Sequence, residues 1–423
     1  MSPVSQDSFP LTGRYAERNR SENLAGPGDS RPTGLQVIED EGLLDGSWGA
    51  DKVCLVTGVS AGIGPETVRA LAATGATVYG TARDLDKARA ALGQELLATG
   101  RVHVLLMDQV DLASVRSCAA EFRKHSNRLN VMVNNAAVRN SFLPLAPLAP
   151  IFYFSKIRSF LFNPRICLPI TILESMKTNG RGIQVMNTPQ SYTKDGFELQ
   201  FGTNHLSHFL LFHELRDLLL ASSTPDFHSR VVNVSSAAHR YSPLDLDDVN
   251  FTASPSTRPY DGWAAYGASK TANIYMTTQI ERLFGGGHGS SGENGQQHEK
   301  KIHGYAVHPG SFVSPNLQKH SAAEMAAAHA DPRFRKIFAD VQQGCATSVY
   351  AAVSAALEGR GGLYLEGCSE AGPSPSGDGM ENAVDYGHGN WAFDEALEKR
   401  LWERSLEWVG AAADHDVTSG THQ

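Results

Sequence analysis

Tyr266 and Lys270, in the sequence YGASK, are the two residues whose types and spacing point most directly to chemistry. They are four positions apart, so on a helix both side chains lie on one face. A lysine ammonium beside a phenol favours the phenolate, which makes a tyrosine a usable general acid or base near neutral pH. A Tyr-x-x-x-Lys pattern is weak evidence alone, and its value depends on the residues that accompany it.

Two further polar residues are candidates to work with this pair. Ser236 ends the apolar run VVNVSS, where a hydroxyl can hold a substrate carbonyl. Asn204 begins a long apolar helical pattern, where its amide can hold a water near Lys270. A helix cap is the alternative explanation for Asn204. The four residues together indicate acid–base chemistry on a bound carbonyl group.

A glycine-rich turn, TGVSAGIG at 57–64, lies between an apolar strand pattern and a helical pattern. Glycines let the backbone come close to a pyrophosphate, and the start of the helix offers free N–H groups with a partial positive charge. A plain strand-to-helix turn is the alternative. The order strand, glycine-rich turn, helix predicts a dinucleotide-binding site.

Arg83 follows the second predicted strand, at the position that selects between two dinucleotides. An acidic residue there would bind the adenosine ribose hydroxyls of NAD, whereas an arginine would pair with the 2′-phosphate of NADP. Asp84 next to it is the alternative partner for the hydroxyls, and Lys87 adds positive charge. The sequence therefore favours NADP over NAD.

The elements that must position these residues alternate between β-branched apolar runs and helical patterns. The predicted strands are 53–57, 77–82, 102–107, 131–134, 230–235, 302–308 and 363–365. The predicted helices are 63–74, 85–97, 114–124, 205–221, 265–283, 344–357 and 394–409. This alternation predicts an α/β fold over residues 36–410: a single Rossmann-type, doubly wound domain with a mostly parallel sheet of about seven strands flanked by helices. Such sheets bind ligands at the carboxyl ends of their strands.

Composition excludes several classes of protein. The 423 residues contain 37 Lys and Arg against 45 Asp and Glu, a net charge of −8, which disfavours nucleic-acid binding. Hydrophobic residues make up 41%, enough for a core. The five cysteines form no CxxC pair, and no Cys/His cluster has zinc spacing, so reduced thiols and no metal site are expected.

The ends of the chain and one internal stretch differ from the rest in composition. We expect a disordered N-terminal tail over 1–35, a flexible Gly-rich loop over 285–300 and a C-terminal tail over 411–423. No run approaches the roughly 20 apolar residues of a membrane helix, and no targeting signal is visible, so a cytoplasmic location is expected.

In combination, the motifs resemble the classical short-chain dehydrogenase/reductase superfamily. The resemblance rests on TGVSAGIG, Asn-Asn-Ala-Ala at 134–137, Asn204, Ser-Ser at 235–236, YGASK and His-Pro-Gly at 308–310. The stretches KDGFELQFGTNHLSHFLL, RVVNVSSAAHRYSP and VHPGSFVSPNLQKH are similar to the retinol-dehydrogenase/WW-domain-oxidoreductase-like group, in its filamentous-fungal form. The similarity covers roughly 34–138 and 186–410.

The resemblance implies a role for each matching residue. Tyr266 would be the proton donor or acceptor, Ser236 would orient the carbonyl, Lys270 would bind the nicotinamide ribose, and Asn204 would support a proton relay. Hydride would pass between nicotinamide C4 and the carbonyl carbon. The remaining implied cofactor contacts are Gly58, Ser60, Gly62, Ile63 and Gly64 at the pyrophosphate, Asp111 at the adenine, Asn135 at the ribose, and Pro309, Gly310, Phe312 and Ser314 at the carboxamide.

The chain departs from this family at two places. Ala137 stands where the family usually has glycine. Residues 139–184 form a Pro-rich, apolar insert with basic residues and no clear period. A lid over the site, a membrane-touching segment and retained intron sequence are the three interpretations. The intron is favoured, because the codons of Val138-Arg139 and Ile183-Gln184 permit splice signals.

The sequence thus predicts an NADP-dependent oxidoreductase that interconverts a carbonyl and an alcohol on a small, apolar molecule. A catalytically silent NADP-binding scaffold or sensor is the alternative. Specificity is expected to come from about 311–339, where Met325, Phe334 and Phe338 are either pocket or core residues. The resemblance also implies a homo-oligomer through the helices at 205–221 and 265–283.

Overall fold

The computed structural model describes most of the chain, apart from both termini and five internal gaps. The described residues are 9–136, 190–253, 259–286, 301–312, 332–379 and 385–411. The insert at 139–184, most of the loop at 285–300 and nearly all of the tail at 411–423 lie outside them, as do Ala137, Ser314 and Met325.

Strands form where the β-branched runs predicted them, with additions at one edge. The strands are β1 (Leu11–Thr12), β2 (Val53–Thr57), β3 (Thr77–Ala82), β4 (Val102–Leu106), β5 (Val131–Asn134), β6 (Ser229–Val234), β7 (Ile302–His308), β8 (Ser311–Phe312), β9 (Phe338–Ala339), β10 (Leu363–Glu366) and β11 (Ser369–Ala371).

The central sheet has nine strands in the order β1-β11-β10-β7-β6-β5-β2-β3-β4, with β8 and β9 paired separately. The seven strands from β10 to β4 are all parallel, and they are the seven that the sequence predicted. Their order is that of a doubly wound dinucleotide-binding sheet. The expected count of about seven is too low, because β11 and β1 add two short antiparallel strands at one edge.

Helices cover both faces of the sheet. They are α1 (Gly34–Asp40), α2 (Ile63–Ala73), α3 (Leu85–Leu92), α4 (Gln94–Ala98), α5 (Leu112–His125), α6 (Leu199–Phe201), α7 (Ser207–Ser222), α8 (Gly262–Phe284), α9 (Pro332–Ile337), α10 (Val341–Gly344), α11 (Ala346–Val353) and α12 (Glu395–Trp408). The single helix expected over 85–97 is two, because Gly93 adopts φ +86° between α3 and α4. None of the described helices has the length and apolarity needed to cross a bilayer.

The core lies in two layers, one on each face of the sheet. Along β2, Cys54 and Val56 pack towards α1, α2 and α11, and Leu55 between them packs towards α5, α7 and α8. All three side chains are completely buried. Burial on both faces explains why the strand reads as a continuous apolar run and not as an alternating one.

The segment before α1 is folded, so the prediction of a disordered tail over 1–35 is wrong for residues 9–35. Leu11 pairs with Ala371 of β11, and Tyr15 is 1% exposed with its hydroxyl 2.8 Å from the Asp40 carboxylate that accepts its hydrogen bond. Arg31 pairs with Asp29 at 2.8 Å and donates to the Phe338 carbonyl at 2.6 Å. Composition indicated disorder because it does not report contacts such as Leu11–Ala371 and Arg31–Phe338, which join residues far apart in sequence.

The C-terminal helix α12 covers the two long helices through which the resemblance implied oligomerisation. Trp402 packs edge-on against Phe209 of α7, with ring centroids 4.9 Å apart. It also contacts Phe284 of α8, and Arg282 of α8 pairs with buried Glu398. The faces of α7 and α8 that meet α12 are therefore occupied within one chain.

Candidate active site

The Tyr266–Lys270 pair lies near the start of α8. The helix begins after Asp261, whose carboxylate accepts hydrogen bonds from the backbone N–H groups of Trp263 and Ala264. Tyr266 is 3% and Lys270 1% exposed, and the lysine Nζ lies 5.5 Å from the centre of the tyrosine ring. The two side chains thus share one helix face, as the spacing predicted.

Lys270 is attached to the carboxyl end of β6. Its Nζ donates a 2.9 Å hydrogen bond to the Val234 carbonyl, and the Ser235 hydroxyl donates to the Lys270 carbonyl at 2.9 Å. These bonds hold helix and strand together at the carboxyl ends of the parallel strands, where α/β folds bind ligands. We call this side of the sheet its carboxyl edge, and the opposite side its amino edge.

Ser236 follows directly and is partly exposed. Its hydroxyl accepts a 3.2 Å hydrogen bond from the Ala238 N–H, and its carbonyl accepts one of 2.6 Å from His239 Nδ1. The other nitrogen of His239 accepts from the Gly389 N–H at 2.9 Å. Burial lowers the pKa of His239 to about 3, so the ring is a neutral link between the Ser236 turn and the C-terminal segment.

Asn204 lies inside a helix and not at its start. It belongs to a π-helical turn, Gly202–Leu206, between α6 and α7, and the residue that caps this helical run is Glu198. The helix-cap explanation for Asn204 is therefore wrong. Its amide donates to the Ser269 hydroxyl at 2.9 Å, and Ser269 donates to the Tyr266 carbonyl at 2.7 Å. Asn204 is thus connected to the backbone of α8, and π-turns often mark functional sites.

His208 connects this helix to the glycine-rich turn. Its Nδ1 lies 2.9 Å from the Asn204 carbonyl, and its Nε2 lies 2.9 Å from both the Thr57 hydroxyl and the Gln109 amide. The Asn204 carbonyl can only accept, so Nδ1 carries the proton and Nε2 accepts. Burial lowers the pKa of His208 to about 4, which keeps the ring neutral.

Thr57 in turn fixes the end of β5. Its hydroxyl accepts from the backbone N–H groups of Asn135 and Ala136 at 3.0 and 2.9 Å. The Asn135 side chain donates to the Thr57 carbonyl at 2.8 Å. Sequence reasoning missed both Thr57 and His208. The available signal for His208 was its position four residues after Asn204, on the same helix face.

The glycine-rich turn has the shape of a phosphate cradle. Gly58 adopts φ +75°, and a Cβ on it would lie 2.6 Å from the Cβ of Ala136. A Cβ on Gly64 would lie 2.3 Å from the Gly58 carbonyl oxygen. Gly62 adopts φ +69° and faces open space, and α2 begins with buried Ile63 directly after it. Partly exposed Ser60 lies in the same turn. Two close approaches and an open side at a helix start fit a bound pyrophosphate.

Arg83 and Asp84 occupy the end of β3 in different ways. Arg83 is exposed and has no hydrogen-bond or ion-pair partner among the described residues. Asp84 caps α3, because its carboxylate accepts a 2.9 Å hydrogen bond from the Lys87 N–H. The acidic side chain is thus engaged by the helix, whereas the basic one faces solvent.

Two aspartates follow β4. Asp111 caps α5 by accepting from the Ala113 N–H at 3.0 Å, and it pairs with Lys194 at 2.6 Å. The hydrogen bond from Lys194 lowers the Asp111 pKa. Asp108, which sequence reasoning did not single out, lies nearer the strand end, and its carboxylate accepts only a 3.3 Å bond from the Val110 N–H among the described contacts.

The predicted carboxamide contacts begin at the end of β7. Pro309 is buried, and Gly310 adopts φ +75° with open space where a Cβ would lie. The backbone of Phe312 lies in β8 beside Ala339 of β9. Phe338, one residue earlier in β9, is 5% exposed. The structure therefore places the described members of this set at the same edge of the sheet as Tyr266.

Known proteins share this fold and these motifs. A family model described as short chain dehydrogenase matches residues 52–150. Short-chain dehydrogenase/reductase prx1 of Penicillium roqueforti is 37% identical over 409 residues, 96% of this chain and 98% of that protein. Mouse retinol dehydrogenase 13 is 30% identical over 379 residues, 88% of this chain and 87% of that protein. A solved structure of an uncharacterized Mycobacterium paratuberculosis protein is 24% identical, with a TM-score of 0.50 over 85% of this chain and 94% of that chain.

The fold and the site define a Rossmann-type oxidoreductase that uses a nicotinamide cofactor. The chain belongs to the short-chain dehydrogenase/reductase family, in its retinol-dehydrogenase-like, fungal subgroup. It is therefore an NAD(P)-dependent enzyme that acts on CH–OH donors and on the corresponding carbonyls.

Proposed function

We propose that the protein is an NADP-dependent oxidoreductase that interconverts a carbonyl and an alcohol on a small apolar substrate, with Tyr266 as general acid and base. The observation that carries the proposal is the buried Tyr266–Lys270 pair at the carboxyl end of β6, within one bonded network with the glycine-rich turn.

Each residue of the site has a part in this proposal. The nicotinamide cofactor supplies or accepts the hydride when bound. In reduction the Tyr266 hydroxyl gives its proton to the carbonyl oxygen, and in oxidation the phenolate takes it back. The Lys270 ammonium, 5.5 Å from the centre of the Tyr266 ring, holds the nicotinamide ribose. The Ser236 hydroxyl donates a hydrogen bond to the reacting oxygen and so orients it.

Asn204 and His208 position this machinery. The Asn204 amide is bonded to Ser269, which bonds the backbone of Tyr266, so Asn204 supports the catalytic turn and the relay of its proton. His208 is a positioning residue, because it links Asn204 to Thr57 at the cofactor turn. A neutral ring with one donor and one acceptor suits that task at every pH near 7.

We propose that the other cofactor contacts follow the dinucleotide along the edge of the sheet. Gly58, Ser60, Gly62, Ile63 and Gly64 hold the pyrophosphate, Asn135 the ribose, and Pro309, Gly310, Phe312 and Ser314 the carboxamide. Arg83 with Lys87 binds the 2′-phosphate, which favours NADP because Asp84 is engaged as a helix cap. For the adenine we favour Asp108 over Asp111, since Asp111 is committed to its helix and to Lys194.

The apolar substrate is inferred from the relatives and from the region after β7. One relative is named for retinol, an apolar alcohol. Phe338, in the segment that the sequence predicted to set specificity, is buried there. A homo-oligomer built on α7 and α8 would use the faces of these helices that α12 leaves uncovered.

Replacing Tyr266 by phenylalanine tests the proposal. The proton donor is lost while ring packing is kept, so we expect NADPH oxidation with a panel of aldehydes and ketones to fall about 10³-fold. NADPH affinity, measured by fluorescence titration, should stay within twofold. Wild-type protein that binds NADPH but turns over none of the panel would support the scaffold or sensor alternative. A Y266F variant that keeps full turnover would remove Tyr266 from the mechanism.

A further inference from the structure

A second cluster of functional side chains lies at the opposite edge of the sheet. His228 directly precedes β6, His303 is the second residue of β7, and Glu358 follows a 3-10 turn, Ala355–Leu357. One ligand atom of each lies within 4.8 Å of the others. His228 Nδ1 is 3.1 Å from His303 Nε2 and 2.8 Å from Glu358 Oε1.

A carboxylate fixes the orientation of His303 through the ring nitrogen that does not face His228. Its Nδ1 lies 2.9 and 3.1 Å from the two carboxylate oxygens of Glu281. A carboxylate accepts, so Nδ1 carries the proton and Nε2 directs its lone pair towards His228. A carboxylate on the far nitrogen of a histidine is the arrangement that prepares such rings for metal binding.

Glu358 is held in a similar way. Arg230 Nη2 donates to its Oε2 at 3.0 Å, and the His228 backbone N–H donates to its Oε1 at 3.0 Å. These two hydrogen bonds fix the carboxylate with Oε1 beside the two imidazoles.

His228 provides the opening of the cluster. Its side chain is 13% and that of Glu358 27% exposed, whereas His303 is 1% exposed. In the metal-free cluster a neutral His228 donates its Nδ1 proton to Glu358 Oε1. Metal binding through Nδ1 needs that proton on Nε2, so ligation exchanges tautomers without net proton release.

We propose that His228, His303 and Glu358 bind a divalent transition metal, with Zn²⁺ as its representative and water as the fourth ligand. Zinc bonds of about 2.0–2.1 Å place tetrahedral ligand atoms about 3.3 Å apart, close to the two short separations in the cluster. Two imidazole nitrogens favour zinc over Mg²⁺ or Ca²⁺, which prefer oxygen ligands. Sequence spacing indicated no metal site, because the fold brings together residues that are up to 130 positions apart in the chain.

The metal would join the starts of β6 and β7 to the turn after α11. It would stabilise the folded protein by an amount that rises with the logarithm of the free metal concentration above its dissociation constant, because the unfolded chain does not hold the three ligands together. This inference does not depend on the proposed function, since the cluster lies at the edge of the sheet away from Tyr266.

Isothermal titration of EDTA-treated full-length protein with ZnCl2, and with MgCl2 in parallel, tests the proposal. We expect one zinc per chain, no magnesium binding, and a raised midpoint of thermal unfolding with zinc. His228→Ala and Glu358→Gln should each weaken zinc binding at least tenfold.

His125→Ala is the matched control. His125 lies 3.0 Å from the Glu121 carboxylate on the exposed face of α5, and no third ligand group accompanies this pair among the described residues. We expect zinc affinity in this variant to equal that of the wild type. Absence of stoichiometric zinc binding in the wild type would overturn the proposal. Equal affinity in the His228→Ala variant would also overturn it, by showing that zinc binds elsewhere.

Discussion

Histidines lie at both ends of the same sheet, and their surroundings give them different properties. Near the carboxyl edge, His205, His208 and His239 are fully buried and bond hydroxyls, backbone groups or an amide. At the amino edge, His228 and His303 lie beside carboxylates. The first three are neutral connectors between chain segments, whereas the last two have lone pairs and negative charge gathered around one point.

The comparison shows that the neighbours of a histidine determine its chemistry. β6 and β7 contribute to both edges, and their residues are buried along the whole length of both strands. What differs is the partner that the neighbouring elements supply: Thr57 of β2 and Asn204 of the π-helical turn at one edge, Glu281 of α8 and Glu358 after the 3-10 turn at the other. A carboxylate within about 3 Å places negative charge beside the ring, where a metal ion can share it, whereas the described hydrogen bonds of the three connectors go to no carboxylate.

The largest expected effect is on stability at low pH. Burial lowers the pKa of His205 and His239 to about 3 and of His208 to about 4, below the value of about 6.5 in an unfolded chain. The unfolded state therefore binds more protons between pH 6.5 and 4, and stability is lost as pH falls through that window. Each histidine contributes roughly 1.4 kcal/mol per pH unit there.

Glu366 acts in the opposite direction. Burial raises its pKa to about 7, so it gains stability as pH falls from 7 and offsets one histidine. Urea unfolding at pH 7.0, 6.0 and 5.0 measures the sum. His208→Gln should reduce the slope by one proton, because glutamine does not titrate. A slope identical in wild type and variant would show that folding does not lower the His208 pKa.

The second expected effect is on cofactor choice at the carboxyl edge. Replacing Arg83 by alanine removes a charge-assisted bond to the 2′-phosphate, so NADPH should bind about 10- to 100-fold more weakly. NADH, which lacks this phosphate, should bind as before. Arg89→Ala is the control, because Arg89 is likewise exposed but lies within α3, away from the end of β3, and pairs with Asp86. Equal losses for NADPH and NADH would mean that Arg83 supports the fold and not the phosphate.

How far the sequence predicts the molecule depends on the range of the signals. The seven parallel strands follow from β-branched runs, and the Gly58 and Gly64 turn follows from local spacing, so both were predicted. The sequence did not predict the Leu11–Ala371 pairing or the cluster of His228, His303 and Glu358, since each joins residues distant in sequence. The sequence left a helix cap as the alternative role of Asn204, because amino-acid composition gives no signal for a π-helical turn.

A smaller effect is expected when the connector at the carboxyl edge is replaced. His208→Gln can restore one of the bonds to Asn204 or Thr57 but not both, so we expect kcat to fall about tenfold. The NADPH dissociation constant should change less than kcat, since the His208 ring contacts the glycine-rich turn through the Thr57 hydroxyl. A stopped-flow comparison of hydride transfer with cofactor binding separates the two. Loss of binding alone would make His208 part of the cofactor site only.

The smallest effect is expected for a substitution at the amino edge. It tests whether the His228 cluster is independent of the reaction at Tyr266. In metal-free buffer, His228→Gln loses a bond to Glu358 but keeps a polar side chain at a partly exposed position, so the free energy of unfolding should fall by about 0.5–1.5 kcal/mol. Turnover and NADPH affinity should be unchanged, because the Tyr266 site draws on the other ends of β6 and β7. Zinc should stabilise the wild type and Tyr266→Phe equally, but not His228→Gln. If the fully folded His228→Gln variant has reduced turnover, the two edges are coupled through β6 and β7. The buried connector histidines and the carboxylate-paired histidines would then influence the same reaction.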